Sequence, residues 1–194
     1  MEQIEDKKQF AVLIDSDNIS AKYAASIFNE IENYGYASFR RIYGNWSGKS
    51  NGWKEQVLLE NSITPVQQFS YTTGKNSTDM AMVIDAMDIL YSGKVDGFCL
   101  VTSDSDFTRL AMRLREENMY VIGMGESKTP MALTKACNKF IHLNLINKQV
   151  GDVETMSAIS GQKKGSKAAE EEAPTVLEPS EPVISLEVEE DLPV

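Results

Sequence analysis

The sequence predicts an α/β fold, a three-layer α/β/α sandwich around a mainly parallel central sheet. Three observations carry this expectation. Short apolar runs of strand length alternate with segments of helical period through residues 1 to 149. The strand–helix units repeat at a length that suits parallel crossovers, with helices covering both sheet faces. A chain of 194 residues with 42% apolar content can bury one sizeable core, whereas two full domains would be crowded.

In chain order, FAVLI (10 to 14) reads as the first strand, and a helix over 20 to 33 follows with Ala24, Ile27, Phe28 and Ile31 on one face. Gly35 is expected to end it in the left-handed cap conformation. ASFRRIY (37 to 43) is a second strand, WKEQVLLEN (53 to 61) a helix and ITPVQQF (63 to 69) a third strand. MAMVIDAMDILYSG forms a helix ended by Gly93; FCLVT, a helix over 106 to 117 and the strand MYVIGMG come next. Thr129 and Pro130 open a short helix, as cap and first-turn proline, before a last strand near KFIHL.

The net charge of −10 is unevenly spread. From residue 150 onward there are 3 Lys and 11 acids, a net of −8, whereas residues 1 to 149 carry 16 bases and 18 acids, a net of −2. The expected organisation is a domain over 1–148 and an acidic, disordered tail or linker over 149–194, rich in Pro, Glu, Ser and Ala. Apolar pieces such as VISLEV offer that tail a protein partner, against the simpler reading of a solvated tail. No stretch of about 18 apolar residues spans a membrane. MEQIEDKKQF leads into too short an apolar run for a signal peptide, so the cytoplasm is the expected location. Cys99 and Cys137 lack CxxC spacing and read as buried thiols; His142, the single histidine, reads as a packed or edge residue. No histidine-dependent triad or His/Cys metal site can be built.

Carboxylates cluster instead where apolar runs end. LIDSDN places Asp15 and Asp17 after the first strand, TSDSDF places Asp104 and Asp106 after the fourth, and GKNSTDMAM places Asp79 at the start of the helix between. Each aspartate alone suits helix capping. If the first and fourth strands are neighbours, however, three segments bring carboxylates to one rim, where active sites of such sheets lie. Like charges so gathered repel unless a cation sits among them. Oxygen ligands without His or Cys suit Mg²⁺ or Mn²⁺, and such ions serve phosphodiester hydrolysis. The spacing of DSDN and DSD lacks the glycine and closing glutamate of an EF-hand. GMGE reads as a glycine turn.

IDSDN, GKNSTDMAMVIDAMDIL and LVTSDSDFTRLAMRLRE, in this order, together resemble the NYN domain, the LabA-like branch of the PIN-like nucleases, over about residues 8 to 146. The resemblance implies a metal-dependent ribonuclease with a parallel sheet between helices. Asp15, Asp79 and Asp104 match the family's metal-binding carboxylates, joined by Asp106, and Asn18 matches its polar residue after the first aspartate. Asp17 falls at a variable position. Asp85 falls on an acidic one, but six residues turn a helix by roughly 600°, so it leaves Asp79's face and reads as supporting. Family relatives often continue into a LOTUS, or OST-HTH, RNA-binding module.

Single-stranded RNA is the expected substrate, with homo-oligomer formation open. Without the five site acids (Asp15, Asp17, Asp79, Asp104, Asp106) the domain is +3. Trp46, Lys49, Trp53 and Lys54 in one loop, and Tyr71 and Lys75 in another, mix rings with cations as RNA-binding surfaces do. Trp53 reads as core; Trp46 and Lys49 read equally as core or contact. Asn18, Ser103 and Lys75 are assigned to phosphate. Arg109 and Arg113 read as phosphate contacts or as a solvated face paired with Glu116 or Glu117. Two alternatives remain: a HAD-like phosphatase with Asp15 as nucleophile and Asp17 as general acid, and a non-catalytic RNA-binding scaffold.

Overall fold

The computed structural model describes residues 7–46, 52–69 and 77–146. The tail beyond residue 148, Lys49, Tyr71 and Lys75 lie outside them. Six strands form one sheet: β1 (Gln9–Asp15), β2 (Tyr36–Gly44), β3 (Thr64–Gln67), β4 (Gly97–Val101), β5 (Tyr120–Gly125) and β6 (Lys139–His142). Their order is β3-β2-β1-β4-β5-β6 and every pairing is parallel. The helices are α1 (Ala24–Ile31), α2 (Glu55–Glu60), α3 (Ser77–Ser92), α4 (Thr108–Glu116) and α5 (Met131–Ala136).

Alternate residues of the inner strands serve opposite layers, as a two-residue period requires. Phe10, Val12 and Ile14 of β1, with Cys99 and Val101 of β4, pack under α1 together with Ile27, Phe28 and Ile31. Ala11, Leu13, Phe98 and Leu100 face the other way, onto Met82, Ala86 and Ile89 of α3 and Leu110 and Leu114 of α4. Residues 10–14 of β1 and 98–101 of β4 are therefore continuously apolar because both faces of these strands are buried. Among the described residues no helix is long and apolar enough to cross a membrane.

Four local expectations are corrected. Gly35 does not adopt a left-handed conformation; a Cβ there would lie 2.0 Å from the Lys8 carbonyl oxygen, so close approach to the chain entering β1 is what suits glycine. Gly93, at φ 65°, is the left-handed residue, immediately after α3. Thr129 does not cap α5, because its hydroxyl donates back to the Glu126 carbonyl at 2.6 Å and Pro130 occupies the cap position. The helices expected from residues 20 and 106 begin as 3₁₀ turns, Ala21–Tyr23 and Ser105–Phe107. β3 is shorter than expected; Pro65 lacks a ladder donor and is tolerated because β3 is an edge strand.

Cys99 and Cys137 are free and buried, and burial pushes both thiols up, Cys137 to about 11. His142 lies on the edge strand β6, against the ring of Phe140 at 5.2 Å. Trp53 is core, 2% exposed, its indole N–H donating to the Ile19 carbonyl at 2.7 Å.

Candidate active site

β1 leads outward to β2 and β3, and β4 leads the opposite way to β5 and β6, so the chain reverses direction between β1 and β4. The carboxyl ends of these two strands splay the following loops apart and leave a crevice. Asp15 ends β1. Since Ile14 pairs with Val101, Asp15 stands beside Thr102, the residue after β4. The Thr102 hydroxyl donates to Asp15 Oδ2 at 2.8 Å and accepts from the Asp104 backbone N–H at 3.1 Å. One side chain, fully buried, thus links two of the acidic segments.

Asp15 is 1% exposed and both its oxygens are engaged. Oδ1 accepts from the backbone N–H groups of Asp17 (3.0 Å) and Asn18 (3.4 Å), and Oδ2 accepts from the Asn18 side-chain amide at 2.7 Å in addition to Thr102. Burial pushes its carboxyl above the ordinary value, against the lowering by Asn18 and Thr102. Asp104 has the N-cap position of the turn before α4; its Oδ1 accepts from the Asp106 N–H at 2.9 Å. Asp104 thus caps this turn, and among the described residues nothing donates to its Oδ2. Asp106 is exposed in that first turn.

Asp79 reaches the same crevice from the first turn of α3, which packs against β1 and β2. Partial burial and then the negative charges of Asp15, Asp104, Asp106 and Asp17 push its carboxyl up to about 6. The segments are gathered, but their oxygens do not close on one point: among the described residues no three acidic, histidine or cysteine side chains form a metal-holding group as they stand. Asp15 is turned into its own loop, and the other carboxylates repel. The donor set is nonetheless all oxygen, and its acids lie close enough together to raise the Asp79 carboxyl, the chemistry that suits a hard divalent cation.

The other expected residues divide. The Asn18 amide is held on Asp15, and the Ser103 hydroxyl accepts from the Glu126 N–H at 2.9 Å, tying the rim to the loop after β5. Asp17 is exposed. Asp85 points away from the crevice and pairs with Arg41 and the Tyr43 hydroxyl, which pins α3 to β2. Trp46 is half-buried just beyond β2, its indole N–H on the Val66 carbonyl at 3.2 Å. Arg109 is 75% exposed and only loosely paired with Glu116, at 3.7 Å; Arg113 pairs with Glu117 at 2.5 Å. Two concavities of about 600 and 620 Å³ lie at the opposite rim, around Lys8 and Tyr120, and include none of the acids.

Sequence reasoning missed Thr102. The signal was available: it follows a strand that neighbours β1, which sets it beside the last residue of β1. Replacing it with isosteric valine removes one donor to Asp15 and one acceptor for Asp104. The Thr102→Val variant is expected to fold and to bind divalent cations about 10- to 100-fold more weakly, as titration calorimetry would measure.

A family model for the NYN domain matches residues 9–144. The chain belongs to the NYN domain family. NYN domains fall within the PIN-like nuclease superfamily, which assigns the chain to nucleases and leaves substrate and metal to be argued from the site. The fold also resembles the crystal structure of a protein of unknown function from Vibrio parahaemolyticus, with a TM-score of 0.58 and 19% identity, covering 72% of this chain and 95% of that one. No curated protein matches. The deep burial of Asp15 in this NYN domain argues against its service as a phosphatase nucleophile, which must meet a phosphorus atom in line.

Proposed function

We propose that the NYN domain is a metal-dependent ribonuclease that hydrolyses phosphodiester bonds of single-stranded RNA. The observation that carries this reading is the convergence of Asp15, Asp79, Asp104 and Asp106 on the crevice between β1 and β4, felt at Asp79 as a carboxyl pushed up to about 6. Asp15, Asp79, Asp104 and Asp106 would hold a Mg²⁺ or Mn²⁺ ion. When bound, the ion supplies activation of a water molecule and neutralisation of charge on the attacked phosphate. Thr102 and Asn18 orient Asp15. Arg109, weakly paired and exposed, contacts phosphate, together with Lys49, Lys75 and the edge of Trp46.

Incubation of the full chain with single-stranded RNA and with a small phosphomonoester tests the proposal. RNA shortening that requires Mg²⁺ or Mn²⁺ and stops with chelator is expected. Release of inorganic phosphate from the monoester without RNA cleavage would favour the phosphatase, and RNA binding without cleavage would favour the scaffold.

A further inference from the structure

α3 is apolar on two opposite faces. Met82, Ala86, Ile89 and Leu90 are buried against the sheet. On the far side Met80 (60% exposed), Ile84 (60%) and Tyr91 (69%) line up along the helix, and Met87 between them is half-buried and also packs against the sheet-side core. At 100° per residue, positions 80, 84, 87 and 91 fall within roughly 60° of one another, a stripe running about 17 Å along the axis. A surface helix ordinarily turns a polar face to water; an all-round apolar helix is one that is covered. Their spacing is that of the anchors by which one helix seats on another.

Charge selects what covers it. α3 carries Asp79, Asp85 and Asp88 and no base from Ser77 to Ser92. Asp85 is paired with Arg41 on the sheet side, whereas Asp88 is exposed beside the stripe. Of the basic neighbours on α4, Arg113 holds Glu117 and donates to the Tyr91 hydroxyl at 3.1 Å, whereas Arg109 is only loosely paired with Glu116, at 3.7 Å. A second copy of α3 would set acid against acid, and the chain beyond residue 150, net −8, is likewise the wrong sign. We propose that the outer face of α3 is a docking surface for an amphipathic helix of a partner protein, one whose apolar i, i+4, i+7 residues are flanked by Lys or Arg.

A labelled 18-residue helical peptide with leucines at that spacing and flanking lysines provides the probe, with a glutamate-flanked twin as control. Fluorescence anisotropy with the full chain is expected to show binding of the lysine peptide alone. The charge-neutral changes Ile84→Ser and Tyr91→Ser should each weaken it about tenfold or more, and Asp88→Lys should shift preference toward the glutamate peptide. RNA cleavage should be unchanged in Ile84→Ser, which separates this surface from the crevice. Equal binding of both peptides, or binding untouched by Ile84→Ser, would overturn the proposal. So would sedimentation of the unmodified chain as a dimer that Ile84→Ser dissociates, because a second copy would then be the occupant.

Discussion

Asp104→Asn is expected to lower divalent-dependent cleavage of single-stranded RNA by about 100- to 1,000-fold, the effect of deleting one preorganised electrostatic group from a reacting centre. Its fold should survive, and the reason is local. Asp104 holds the turn before α4 by accepting from the Asp106 N–H, and asparagine retains an oxygen for that bond and is an equally good cap. What asparagine lacks is the negative oxygen on the crevice side. The variant should therefore melt within a few degrees of the parent in chelator, and its single-turnover cleavage rate should stay depressed even at saturating Mg²⁺. Undiminished cleavage by a pure preparation would remove Asp104 from the site.

Asp79→Asn is expected to abolish cleavage and to stabilise the metal-free protein, a combination that an ordinary structural residue would not give. Asp79 titrates near 6 in the folded chain against 3.8 in the unfolded one, because burial and four neighbouring acids oppose its charge. Between these values the folded state binds the extra proton, so its stability falls as pH rises from about 4 to about 6, and the penalty is complete above that. Removing the charge should recover on the order of 1 kcal/mol at pH 7.5, after allowing for solvent screening of a partly exposed group, and nothing at pH 4. Urea unfolding at the two pH values with chelator measures the difference. Added Mg²⁺ should stabilise the parent and leave the variant unmoved.

The middle of the sheet was legible because β1 and β4 are buried on both faces, so that FAVLI and FCLV stand out as continuous apolar runs between helical segments. The convergence of the candidate acids was legible for the same reason: the direction of the chain reverses where two of those runs meet, and aspartates follow closely on each. Less legible were features that depend on which groups touch. Gly35 was read as a conformational glycine and is instead a matter of close approach to Lys8. Which of the aspartates in TSDSDF caps was not legible: it is Asp104, because the turn after β4 begins one residue beyond it as 3₁₀. Thr102 and Asn18 act through Asp15, and a hydrogen bond between residues 87 apart has no local pattern to announce it. The outer stripe of α3 was visible in MAMVIDAMDIL, yet a sequence cannot say which of two apolar faces meets the sheet.

On the proposed reading, the acids of β1, α3 and the loop after β4 together hold a divalent cation. Anomalous scattering from crystals of the full chain soaked in Mn²⁺ tests it most directly. The predicted result is a manganese peak in the crevice, ligated by Asp79 and Asp104 and lost in crystals of Asp104→Asn. A protein that cleaves RNA in Mn²⁺ while its manganese binds elsewhere, or nowhere in the crevice, would contradict it.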